Sequence, residues 1–112
     1  MNAPEQRRAP RKRPEYNVAV VDTITGQPLG HLGNLSSNGM LLIGQHVPRN
    51  EAVYQVSLNL PRHDGTMPTI EIGIQEQWHE PAASPGQTWA GYRIIAIGGA
   101  DATQLELWLQ QA

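Results

Sequence analysis

Between residues 16 and 97 the chain breaks into six short segments rich in valine, isoleucine and leucine, separated by glycine, proline and Asp/Asn turns. Segments of this kind form strands, because β-branched side chains pack well on a pleated surface and turn residues reverse the chain between them. Residues 16–22 hold the first, closed by Thr25, Gly26, Gln27 and Pro28. Leu29, His31 and Leu32 mark the second, and residues 40–43, opened by Gly39, the third. Residues 51–60 carry valines and leucines at period two and end at Pro61, which predicts a fourth strand with one buried face. In residues 69–74 isoleucines alternate with small or charged residues, and this fifth strand continues toward Trp78. A proline-bearing loop over 80–87 leads to a sixth strand at 89–97, and Gly98 and Gly99 stop the sheet.

Beyond them, Leu105, Trp108 and Leu109 stand at i, i+3 and i+4, one face of an amphipathic helix, and Asp101 and Gln104 have the spacing of an N-terminal capping pair. Six short strands and one helix predict a mainly β protein: a six-stranded antiparallel β-barrel, whose closure removes sheet edges, with a C-terminal α-helix packed on one opening. At 112 residues the chain is long enough for one such domain to bury a core unaided.

Composition narrows the function. There is no cysteine, hence no disulfide framework, no Cys-ligated zinc and no thiol nucleophile. The four histidines share no metal-ligand spacing, so no metal is predicted. With no nucleophile elbow, no P-loop and no suggestively spaced carboxylate pair, the chain does not read as an enzyme. Residues 1–15 contain no apolar run, so neither a signal peptide nor a membrane span is expected there. The expectation is a cytoplasmic protein without membrane insertion.

A net charge of −2 conceals a polarity along the chain. Arg7, Arg8, Arg11, Lys12 and Arg13 set against Glu5 give residues 1–13 a charge of +4, and the remainder carries −6. Pro4, Pro10 and Pro14 and the near absence of apolar side chains predict a flexible basic arm over residues 1–14, attached to a barrel over 15–112.

Two polar motifs flank the first predicted hairpin. Arg7 and Arg11 form R-x-x-x-R, and Asn34, Ser36 and Gly39 form N-x-S-x-x-G. Two guanidinium forks can each bind a phosphate, or the O6/N7 edge of a guanine, through paired N–H donors. The second motif supplies an amide, a hydroxyl and a glycine that permits close approach. In a strand-like run Asn34 and Ser36 share a face, so both can meet one ligand. A plainer reading is also open: Asn38-Gly39 is a hairpin signal, and Asn34 and Ser36 are common turn residues.

The two motifs, in this order and separated by a strand, resemble those of the PilZ domain, a small bacterial β-barrel that binds the second messenger cyclic di-GMP. The likeness extends over roughly residues 6–111, through Trp78 late in a strand, the Gly91-x-Arg93-Ile94 strand and the closing helix. It implies that Arg7 and Arg11 grip guanine edges and phosphates, that Asn34 and Ser36 hydrogen-bond the ligand, and that Gly39 lets its backbone approach. Arg8, Lys12 and Arg13 would add phosphate attraction. Trp78 reads either as a ring face for a guanine or as a core residue, and Trp89 and Trp108 read as core or barrel-lid residues. No other cofactor is implied.

The resulting reading is a non-catalytic cyclic di-GMP receptor whose arm orders around the ligand and signals to a downstream protein partner. One rival is a nucleic-acid-binding barrel using the same arm. The −6 body repels a polyanion, and the strands lack basic and aromatic interleaving, so nucleic acid is not the expected partner. The other rival is a barrel that serves only as a protein-interaction module.

Overall fold

The computed structural model describes residues 9–111. Six strands, β1 (Ala19–Asp22), β2 (Pro28–Leu35), β3 (Gly39–Gly44), β4 (Val53–Asn59), β5 (Thr69–Pro81) and β6 (Thr88–Ile97), are followed by one helix, α1 (Gly99–Gln110). All neighbouring strands pair antiparallel in a closed six-stranded barrel, as expected from the sequence, and their order is β1-β2-β3-β6-β5-β4. Closure is brief: β1 meets β4 through Val21 opposite Ser57 and Asp22 opposite Val56.

Alternation along the strands fills the interior. Val56 and Leu58 of β4 and Ile70, Ile72 and Ile74 of β5 point inward, with Val20, Leu32, Leu35, Met40, Leu42, Ala90 and Tyr92. The helix closes one end by burying Leu105 and Trp108, with Leu109 packed beside them. Trp89, expected in the core, is only half-buried, on β6 opposite Ile43.

The predicted capping pair does not form. Gly98 is the N-cap and makes no side-chain cap bond. Asp101 instead accepts a hydrogen bond from the Glu71 backbone N–H at 3.1 Å, and Gln104 accepts one from Arg62 at 3.3 Å. Both side chains fasten the helix to the barrel, and that tertiary use overrides the local cap.

Bulges matter more for the surface. An extra residue in β2, between Leu32 and Asn34, turns Asn34 away from the interior and lets Leu35 point in. Another in β5, between Glu76 and Trp78, acts likewise: the inward row from Ile70 continues to Glu76, and Trp78 is then turned out, 47% exposed.

Candidate functional site

The loop that carries the second motif is a four-residue turn, in which the Ser36 N–H donates to the Gly39 carbonyl at 2.9 Å. β2 and β3 form a hairpin, but without the positive-φ turn that an Asn38-Gly39 pair favours, since neither residue has positive φ. Gly39 is required for another reason. A Cβ there would lie 2.8 Å from the Tyr92 carbonyl and 3.4 Å from Nη2 of Arg11. Only a bare backbone lets β6 and the guanidinium approach this closely.

Ser36 is fully buried. Its Oγ accepts from the N–H groups of Asn38 (3.3 Å) and Gly39 (3.1 Å) and donates to Asn38 Oδ1 at 2.9 Å. Asn34 and Ser36 therefore do not share a face, because the bulge before Asn34 and the turn after Leu35 break the alternation. Ser36 shapes the loop from beneath, and Asn34 stands on the outer side.

There Asn34 meets the first motif. Nη1 of Arg11 donates to Asn34 Oδ1 at 2.9 Å. Arg11 is placed by its neighbour: Lys12 and Leu35 exchange both backbone hydrogen bonds, at 2.8 and 2.9 Å, in an isolated antiparallel bridge. The segment before β1, assigned to the arm by its composition, thus touches the barrel at Lys12. Arg7 and Arg8 lie outside the described residues.

Arg11 lines a shallow depression of about 360 Å³. Asn38 and Gly39 form one side of it, and Trp78, Gly91 and Arg93 the other. Trp78 stands opposite Gly91 across the β5–β6 ladder, and a Cβ on Gly91 would fall 2.3 Å from the indole Nε1. The indole therefore rests on the glycine, and about half of the residue stays exposed to solvent. Arg93 is exposed, and its Nε and Nη2 donate to Gln75 Oε1 at 3.2 and 2.9 Å. No carboxylate lines this depression, and among the described residues neither arginine is paired with one. Two forked cations and an exposed ring thus face one hollow, an arrangement suited to a ligand that carries both phosphate and planar base.

Neither Arg93, noted only as part of the Gly91–Ile94 strand, nor Glu76 is assigned a ligand role by the sequence. Arg93 had a legible signal, since it lies two residues after Gly91 in a strand and so on the same face. Glu76, 2% exposed, ends the inward row of isoleucines. Its Oε1 accepts from the Glu51 N–H at 2.7 Å, and Oε2 lies 2.7 Å from His79 Nδ1. An ionised carboxylate only accepts, so this pairing puts the proton on Nδ1. The His79 and Glu51 bonds hold the Glu76 carboxyl below the usual carboxylate range. Glu51 itself has a φ of 61°, a left-handed conformation in the loop whose N–H reaches the carboxylate. The bulge that turns Trp78 outward thus starts from a pinned residue.

Lys12, expected to attract phosphate, faces the other way. Its Nζ donates to the carbonyls of Trp108 at 2.5 Å and Gln111 at 3.1 Å, and lies 4.4 Å from the centre of the Trp108 ring. Burial there pushes the ammonium below its ordinary range, against the opposing pull of Glu15.

No family model matches the sequence, and no curated protein matches it. In structure the chain is similar to Bacillus subtilis inhibitor of motility (MotI/DgrA), with a TM-score of 0.72 at 12% identity, over 93% of this chain and 50% of that one. The chain thus spans half the length of that solved structure, and at that identity the likeness is one of fold alone. Among the described residues no helix is long and apolar enough to cross a membrane.

Proposed function

We propose that the depression between the Ser36–Gly39 turn and the β5–β6 ladder binds cyclic di-GMP, and that the chain is a non-catalytic receptor which passes the signal to another protein. The observation that carries this reading is the convergence of Arg11, held by Asn34 above Gly39, with Arg93 and the open face of Trp78 on one hollow free of carboxylates. The ligand has two guanines and two phosphates, so it offers each fork two acceptors and the indole a stacking partner. Arg7 and Arg8 belong to the same site in this reading. Arg7 is four residues from Arg11, about 13 Å of extended chain, within reach of a dinucleotide lying there. Ser36 acts by holding the loop.

A structural neighbour that carries the name inhibitor of motility supports a role in regulation. In that role ligand binding changes the surface formed by the arm and the barrel rim, and a partner protein reads the change. Calorimetric titration tests the reading. Saturable binding of cyclic di-GMP is expected, with cyclic di-AMP a poor competitor, because adenine places a donor where guanine has O6. Equal affinity for the two dinucleotides would leave a site that reads phosphates alone, and no binding of either would end the proposal.

A further inference from the structure

We infer that Lys12 is a positioning residue that sets the register of the ligand-binding arginine and couples the ligand site to the C-terminal end of α1; this rests on the dinucleotide reading of the Arg11 site. Along the described part of the segment before β1, the Lys12–Leu35 bridge supplies the two backbone hydrogen bonds that hold residues 9–17 against the barrel. A contact of one residue pair specifies register poorly, and in extended chain a slip of one position exchanges the faces of every side chain. Such a slip would bring Arg11 toward the helix and Lys12 toward Asn34.

The Lys12 side chain removes that ambiguity. The ammonium has three donors, two of them given to the Trp108 and Gln111 carbonyls, and it sits over the Trp108 ring. Those carbonyls lie at the C-terminal end of α1, where the N–H of the C-cap residue Gln111 also reaches the Trp108 carbonyl at 3.2 Å and where a cation is favoured. The last turn of α1 has no basic residue of its own, so the cation comes from the other end of the chain. Gln111, in turn, accepts from the His63 N–H at 3.0 Å, so the same helix end is tied to the β4–β5 loop.

Adjacent side chains on opposite faces thus join two places: Arg11 reaches Asn34 and Lys12 reaches the helix terminus. Anything that fixes one fixes the register of the other. Because coupling is reciprocal, ligand held by Arg11 must also tighten Lys12 on the helix. The last turn of α1 is therefore the part of the barrel's lid that responds to occupancy.

The test compares wild type, Lys12→Met, Lys12→Arg and Arg11→Ala in cyclic di-GMP titrations, together with amide hydrogen exchange of residues 109–111 with and without ligand. Lys12→Met should weaken binding about tenfold, within the usual span of coupling between sites. Lys12→Arg, which keeps the charge and the donors, should restore most of it. Ligand should slow exchange at residues 109–111 in wild type and leave it unchanged in Lys12→Met. If wild type and Lys12→Met bind alike while Arg11→Ala loses affinity, the site reading stands and the role of Lys12 is overturned. Retained protection of the helix end in Lys12→Met would overturn the coupling. Absence of binding by wild type would remove both.

Discussion

Trp78 and Gly91 face each other across the β5–β6 ladder, and the indole occupies the space that any side chain at Gly91 would need. The glycine is thus a seat for the ring. A methyl at position 91 would meet Nε1 at 2.3 Å and force the indole to swing away. Gly91→Ala should therefore reproduce the binding loss of Trp78→Ala, although it leaves the tryptophan in place. Base stacking on an aromatic ring is worth about 1–3 kcal/mol, so each variant should weaken cyclic di-GMP binding by roughly five- to a hundredfold. Tryptophan fluorescence and titration together check this. Wild-type affinity in Gly91→Ala would mean that the ring's seat is irrelevant to the ligand.

Arg11 and Ser36 belong to different motifs, and the structure separates what each does. Arg11 is exposed and touches Asn34 at the surface, so Arg11→Ala should leave the melting temperature nearly unchanged. On the proposed reading its loss removes a forked contact worth about 1–3 kcal/mol, and affinity should fall about fivefold or more. Arg93→Ala should behave in the same way, since it too is exposed on the same hollow. A large fall in stability without a fall in affinity would reverse the assignment.

Ser36→Ala should do the opposite in order of size. The hydroxyl is buried and serves two backbone N–H groups and Asn38, and without it those groups lose their partner. A buried donor left unpaired costs about 1–3 kcal/mol, which denaturant unfolding would resolve. Affinity should also drop, because the loop that seats Arg11 loosens. An unchanged unfolding midpoint would show that water replaces the hydroxyl at no cost.

The barrel was legible because period-two alternation in β4 and β5 and the turn residues between strands report burial directly. What periodicity could not report were its interruptions. Counted in twos from Ile70, Trp78 belongs inside, and only the extra residue after Glu76 turns it out. Asn34 is turned out in the same way, and Ser36 is carried under the loop. A bulge depends on what the partner strand does, which lies far away in sequence. Glu76 shows the converse: its place in the inward row was readable, but a carboxylate there looks like surface until Glu51 and His79 are seen to bind it. Lys12 was grouped with the basic arm by composition, whereas its partners are the carbonyls of a helix 96 residues away.

The buried Glu76 also predicts how stability depends on pH. Its carboxyl is held below the ordinary value of 4.5, first by the His79 bond and then by the Glu51 N–H. A group whose folded value is depressed stabilises the fold above its unfolded value, and that contribution disappears as pH falls through the folded one. Wild type should therefore hold its Glu76 contribution from neutral pH down to about pH 5 and lose it progressively below 4.5. Glu76→Gln cannot ionise. It should melt below wild type at pH 7, with the gap narrowing as both are acidified toward pH 3. Because Glu76 anchors the bulge that presents Trp78, the same variant should bind cyclic di-GMP more weakly at pH 7, where the fold is still intact. Thermal melts across the pH series and one titration at neutral pH measure both effects. Parallel melting curves for the two proteins would mean that the carboxylate's charge contributes nothing, and unchanged affinity would detach the bulge from the site.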